Sequence, residues 1–320
     1  MLAITGRGVN ELYRDALWMM RISGLQEESR NGKVQALPEP FCATYQRPWE
    51  RVLFHPERDA NPYFHLMESL WMLAGAEDVA FLAQYNSNIA RYSDDGVIFH
   101  GAYGYRWRYH FEKDQLIEII AMLRADPTTR RAVLTMWDPI MDLNVQSLDI
   151  PCNLLCMFRV VRDTLTMTIT NRSNDLVWGA FGANAVHFSI LHELIARAVG
   201  IPQGQMYQFT NNLHIYEQHW PMMESPYALS DYPPTIPLLH GRETWQDFVE
   251  DCEELVTGER QFITQFFNSV VQPARFSYDL YKTKMLGEHN GLSEMPHCDW
   301  KVAMEAWLER RNKQLTIPGV

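Results

Sequence analysis

Three stretches of the sequence predict an α+β fold, with helices packed on a mixed or antiparallel sheet. The run "RDANPYFHLMESLWMLAG" (58–75) has the start and stop signals of a helix. "NLLCMFRVV" (153–161) and "TLTMTITN" (164–171) alternate like two arms of an antiparallel hairpin across the polar pair Arg162 and Asp163. "AVHFSILHELIARAVG" (185–200) then returns to helical spacing.

In chain order, residues 10–23 make a first helix. Asn61 caps a second over 62–74, Pro62 fits its first turn, and Gly75 ends it in a left-handed conformation. Further helices are expected at about 77–90 and 113–124, the latter stopping before Pro127. "RRAVLTMW" (130–137) predicts a buried strand, and "QMYQFTNNLHIY" (205–216) another after the hairpin and the helix ending at Gly200. Beyond Trp220 a proline-rich connection leads into mostly helical sequence. No repeat, low-complexity tract or linker divides the chain, so 1–320 is expected to form one domain with a helical segment from about 221.

Composition narrows the functional class. A net charge of −11 and a pI near 5.5 leave no basic stripe for phosphate backbones, so small molecules rather than nucleic acids are the expected partners. No run reaches the 18 apolar residues of a membrane span, and "MLAITGRGVNELYRDALWMM" lacks the regions of a secretory signal, which predicts a cytoplasmic protein. Cys42, Cys152, Cys156, Cys252 and Cys298 are odd in number, dispersed and free of any CxxC pair. Neither a disulfide framework nor a metal site is expected.

The candidates for chemistry lie around the strands. Pro151 places Cys152 at an irregular strand entrance where a ligand can approach, against the alternative of a small core hydrophobe; Cys156, within the alternating strand, is read as core. Glu68 falls on the apolar face of its helix between Phe64 and Trp71, where a carboxylate needs a partner or a shifted pKa, as a structural ion pair or a general acid/base. Arg130, Arg131 and Arg172 stand at predicted strand ends and suit an oxyanion or phosphate, or surface ion pairs. "GAFGAN" is expected to be a glycine-bracketed loop ending in Asn184, and His214 and Tyr216 share one side of a strand.

Six ordered motifs, "HLMESLWMLAG", "YGYRW", "RRAVLTMW", "IPCN", "NRSNDLVWGAFGAN" and "NNLHIY", resemble the thymidylate synthase family over roughly residues 50–220. The resemblance implies a homodimer built on a large mixed sheet, with 5,10-methylenetetrahydrofolate as co-substrate and C5 of a pyrimidine nucleoside monophosphate as acceptor. It makes Cys152 the nucleophile at C6 and Arg172 the phosphate ligand beside it, with Arg30 a further one. Arg130 and Arg131 would reach the phosphate across the dimer, giving shared active sites. Glu68 would polarise the base through water, Tyr103 would serve proton removal at C5, Asp175 and Trp178 would face the folate, and His214 with Tyr216 would hold the ribose. Asn184 would read the base, and its carboxamide suits uracil, whereas family relatives that hydroxymethylate dCMP carry an aspartate there.

Departures from the family pattern are equally informative. Ala90 and Arg91 stand in the region of the usual tryptophan pair, Asn153 replaces the usual histidine, and one more residue than usual separates Asp175 from Asn184. A thinner aromatic wall admits water to the methylene intermediate, which predicts hydroxymethylation of dUMP, as in phage enzymes that modify DNA. Thymidylate synthesis, dCMP or CMP hydroxymethylation and a catalytically inactive nucleotide-binding regulator are the alternatives. The segment after 220 does not resemble the family tail, although the terminal "IPGV" could supply a closing carboxylate.

Overall fold

The computed structural model describes residues 1–225, 227, 231–258, 261–286 and 290–315, so the terminal "IPGV" lies outside the described residues. The chain begins with β1 (Leu2–Gly6), α1 (Val9–Ser23), the hairpin β2 (Leu25–Ser29) and β3 (Gly32–Ala36), and β4 (Phe41–Tyr45). These four strands are additions to the predicted elements. Each has only five residues, and "LQEES" of β2 is exposed throughout, so it carries no alternation to read.

Helix α2 (Pro62–Leu73) forms as expected: the Asn61 side chain accepts from the Phe64 N–H at 3.1 Å, and Gly75 has φ +74°. Every residue of α2 except Glu68 is buried. The helix expected at 77–90 is shorter, α3 (Val79–Tyr85), because Asn86 turns extended and its side chain accepts from Asn88, starting a separate 3-10 turn at Ser87–Tyr92. "YGYRW" makes the additional short helix α4 (Tyr103–Arg108), and Asp114 caps α5 (Gln115–Ala125). The buried strand expected at 130–137 shrinks to the edge strand β5 (Val133–Thr135), with Val133 exposed and Arg130 and Arg131 in irregular chain ahead of it. After the single turn α6 (Pro139–Asp142), β6 (Asn153–Val161) and β7 (Thr164–Asn171) pair antiparallel. Arg162 and Asp163 between them both have positive φ, the geometry that matches strand twist in a two-residue hairpin.

The two-residue strand β8 (Asn174–Asp175) leads into a π-helical segment, Leu176–Ala183, that runs directly into α7 (Asn184–Val199). "GAFGAN" is therefore helical rather than a loop. Wide i→i+5 turns accommodate an additional residue without breaking the helix, which fits the lengthened spacing between Asp175 and Asn184. The single strand expected at 205–216 divides at Asn211 and Asn212 into β9 (Gln203–Thr210) and β10 (Leu213–Tyr216). Beyond these come α8 (Trp245–Thr257), α9 (Gln272–Lys282) and α10 (Asp299–Leu315), in agreement with the helical expectation.

Six strands form a mixed sheet in the order β1-β4-β9-β7-β6-β5, and four form a second, β2-β3-β10-β8. The C-terminal helices pack onto α2: Tyr63 Oη lies 2.9 Å from Ser277 Oγ, and the rings of Tyr63 and Trp307 meet edge to face at 5.4 Å. One buried cluster extends from Val9 to Leu308. The opposite face of the large sheet keeps Met157, Tyr207 and Phe209 partly or fully exposed.

Candidate active site

Cys152 immediately precedes β6, and Arg172, just past the end of β7, fixes the turn that presents it. The Arg172 backbone N–H donates to the Cys152 carbonyl at 2.9 Å, while its guanidinium donates to the carbonyls of Pro151 (2.8 Å) and Ile150 (2.9 Å). Burial pushes the thiol above its ordinary value; Arg172 and Arg30 oppose that rise and Asp149 adds to it. Cys156 is fully buried on the helix-covered face, as its reading as a core residue expects.

A cavity of about 170 Å³ is walled by Glu68, Tyr103, Asp149, Asn184 and His187. Helix α2 supplies Glu68, and α7 supplies Asn184 and His187, one helical turn apart. Glu68 Oε2 approaches His187 Nε2 to 2.9 Å, without hydrogen-bond alignment. Tyr103 Oη accepts the backbone N–H groups of Cys152 (3.1 Å) and Asn153 (3.2 Å). Burial holds the Tyr103 phenol well above its ordinary pKa, so it stays protonated and its O–H remains a donor. Burial likewise raises Asp149, whose carboxylate accepts from the Gly101 N–H at 2.8 Å.

Around Asn184 the polar groups are amides. Asn153 Nδ2 donates to Asn184 Oδ1 at 3.3 Å, and Asn184 Nδ2 donates to Asn174 Oδ1 at 3.2 Å. Asn171 Nδ2 in turn donates to Asn153 Oδ1, and Thr210 Oγ1 to Asn171 Oδ1 at 3.4 Å.

A larger cleft of about 970 Å³ opens beside this cavity, and Tyr92 lines both. Its walls include Arg30, Asp175, Trp178 and Tyr216. Asp175 Oδ1 caps the π-helical segment, accepting from Val177 (2.7 Å) and Trp178 (3.3 Å), and burial raises its carboxyl. In the parallel register of β8 and β10, Asp175 stands opposite His214, whose ring burial lowers in pKa and whose Nδ1 lies 2.9 Å from Asn212 Oδ1. The rings of His214 and Tyr216 meet at 5.3 Å. Trp178 is half exposed, with the buried Arg58 guanidinium 4.3 Å beneath it. This set suits a folate: the indole, backed by a cation, offers a flat stacking face, and Lys33 and Arg91 in the same walls suit an acidic tail.

The family profile described as thymidylate synthase matches residues 58–254. The chain belongs to the thymidylate synthase family. A Pseudomonas phage M6 protein named deoxyuridylate hydroxymethyltransferase is 42% identical over 337 aligned residues, spanning 97% of this chain and 95% of its own length. Proteins of the same name from Bacillus phage SP01 (37% identical, 68% of this chain, 59% of its own) and Delftia phage PhiW-14 (30%, 67%, 62%) are also similar.

Within this thymidylate synthase family member, Cys152, Glu68, Tyr103, Asn184 and Arg172 come together, and Asp175, Trp178, Tyr216 and Arg30 line the adjoining cleft. Arg130 and Arg131 do not join them in one chain. Pairing of Thr135 with Leu155 and Val133 with Met157 puts Arg131 level with Arg159, about 23 Å along β6 from Cys152. The sequence reading missed His187, which its i+3 spacing from Asn184 could have revealed, and Asp149, three residues before Cys152. It also missed Arg58, which nothing local distinguishes from a surface arginine. Among the described residues, no group of three or more His, Cys, Asp or Glu is disposed to hold a metal, and no helix is long and apolar enough to cross a membrane.

Proposed function

We propose that this chain is a deoxyuridylate hydroxymethyltransferase, converting dUMP, 5,10-methylenetetrahydrofolate and water into 5-hydroxymethyl-dUMP and tetrahydrofolate. The single observation that carries this reading is the wall above the cavity. The 3-10 turn Ser87–Tyr92 has no buried residue and presents Ile89 and Tyr92 to the cavity, with no indole from this turn. The names of the phage relatives support the same assignment.

Cys152 adds as thiolate to C6 of uracil, making C5 nucleophilic. Arg172 holds the Ile150–Cys152 turn so that the sulfur faces the base, and with Arg30 it offsets the burial that opposes thiolate formation. Asn184 hydrogen-bonds O4 and N3–H, while Glu68 and His187 order water at the same edge and stabilise charge that develops on O4. The folate supplies a one-carbon unit at the oxidation level of formaldehyde. Tyr103 donates its O–H into the water chain that carries away the C5 proton. Water admitted past Ile89 and Tyr92 then adds to the methylene attached at C5, and expulsion of Cys152 restores the ring. No hydride moves, so the folate leaves as tetrahydrofolate.

His214 and Tyr216 hold the ribose, and Asp175 and Trp178 hold the folate in this scheme. The active unit is a homodimer through the uncovered face of the large sheet, and each partner's Arg130 and Arg131 complete the other's phosphate site. The chain works as one domain whose helices after 221 brace α2, in the cytoplasm of the cell that expresses it. Folate-dependent release of tritium from the C5 position of labelled dUMP is the direct test; no release with well-folded protein contradicts the assignment.

A further inference from the structure

Four buried asparagines form a directional chain around the base-reading residue. Asn153, Asn171 and Asn174 are 1%, 1% and 4% exposed, and Asn184 is 7% exposed at the cavity wall. The chain begins at Thr210, whose hydroxyl donates to Asn171 Oδ1, and Asn171 Nδ2 then donates to Asn153 Oδ1. With its oxygen so engaged, Asn153 presents its NH2 to Asn184 Oδ1, and Asn184 presents its own NH2 to Asn174 Oδ1. Every link runs the same way. A side chain on Gly179 would place its Cβ 2.2 Å from Asn174 Oδ1, so the last acceptor exists only because a glycine leaves room for it.

A carboxamide has two acceptor directions on its oxygen and two donor hydrogens on its nitrogen. In Asn184 one of each is taken laterally, by Asn153 and Asn174. Asn184 lines the cavity, so the acceptor and donor that remain are the ones available to a bound base. Uracil offers an acceptor at O4 and a donor at N3–H, whereas cytosine offers a donor at N4 and an acceptor at N3. Rotating the amide by 180° exchanges its two ends, so an unrestrained asparagine can match either base. A restrained one matches only one.

We propose that Asn153 is a specificity-determining positioning residue: by donating to Asn184 Oδ1 it locks the carboxamide in the orientation that pairs with uracil and rejects cytosine. This deepens the dUMP assignment and rests on it. The polarity of the chain also says how to reverse it. Asp at 153 offers no N–H, so Asn184 would have to turn its NH2 towards it. Asn174 can then follow by rotating its own amide, since its Nδ2 is buried without a hydrogen-bond partner. The result is the cytosine pattern.

The experiment is kcat/KM for dUMP and dCMP, by tritium release from C5 of each, in the full-length protein, Asn153→Asp, Asn153→Ala and Asn174→Asp, with melting temperatures as a check on folding. Wild type fixes the frame: if it releases tritium from neither nucleotide, the functional assignment fails, independently of this proposal. With wild type favouring dUMP, Asn153→Asp is expected to lower the dUMP-to-dCMP ratio by about 10- to 100-fold. Asn174→Asp, which supplies an acceptor where one already stands, is expected to keep a uracil preference. Should Asn153→Asp fail to fold, Asn153→Ala removes the donor without adding charge and is expected to lower the ratio by about 10-fold. An unchanged ratio in the folded variants, with both substrates losing rate by one common factor, overturns the proposal. So does a gain of cytosine preference in Asn174→Asp.

Discussion

The two sides of the cavity are built differently. One side rests on a strand-borne platform behind the lining residues Tyr103 and Asn184: Cys152, Asn153, Asn171 and Arg172 sit at the ends of β6 and β7, and Asn153 and Asn171 are almost fully buried. The opposite wall is the 3-10 turn Ser87–Tyr92, half exposed and held by a few capping contacts such as Asn86 to Asn88. Addition of a thiol to a specific base needs groups held in place before the substrate arrives, which a packed sheet supplies. The fate of the methylene depends instead on how well water is excluded, and a short irregular turn controls that without disturbing the platform. In the proposed scheme, base choice and product choice are carried by separate parts of the site.

The largest expected effect comes from breaking the platform. Cys152→Ser abolishes tritium release from C5 of labelled dUMP while nucleotide binding persists, and Cys156→Ser retains turnover. Full activity of Cys152→Ser would end the covalent mechanism. Platform completeness across subunits is next: if the active unit is a homodimer with shared sites, inactive Arg131→Ala and inactive Cys152→Ser chains, allowed to exchange, regain up to about a quarter of wild-type activity, since half the dimers would be mixed and each would have one intact site. No recovery after verified exchange contradicts shared sites. On the other wall, Ala90→Trp adds an indole to the turn that carries Ile89 and Tyr92. It is expected to lower hydroxymethyl formation several-fold and to produce measurable dihydrofolate, read from its absorbance; an unchanged product ratio would separate this turn from water control. The smallest effect concerns Arg30. A cation favours thiolate, so removing it raises the Cys152 pKa further, and Arg30→Ala slows alkylation of Cys152 at a fixed pH near 8. The change is small because Arg30 is exposed and screened. A downward shift would reverse the electrostatic argument.

The platform was partly legible in the sequence because its parts obey local rules. The hairpin was visible in strict alternation around Arg162 and Asp163, and Glu68 because one carboxylate interrupts a helix buried everywhere else. What escaped was set by distant neighbours. The amide chain joins residues from β6, β7, β8, β9 and the start of α7, and no window contains its polarity. Helical geometry through "GAFGAN" was missed because two glycines signal a loop, while here Gly179 makes room for Asn174 and Gly182 lies close against the Val177 carbonyl. Of the short N-terminal strands, β3 and β4 join the sheets through β10 and β9, more than 150 residues later.

The central claim, that water rather than hydride reaches the methylene, is tested most directly by the mass of the nucleotide product formed from dUMP and 5,10-methylenetetrahydrofolate, read with dihydrofolate absorbance in the same reaction. The thin wall at Ser87–Tyr92 predicts a product that has gained CH2O, with tetrahydrofolate released and no stoichiometric dihydrofolate. A product that has gained only CH2, with one dihydrofolate per turnover, would contradict it.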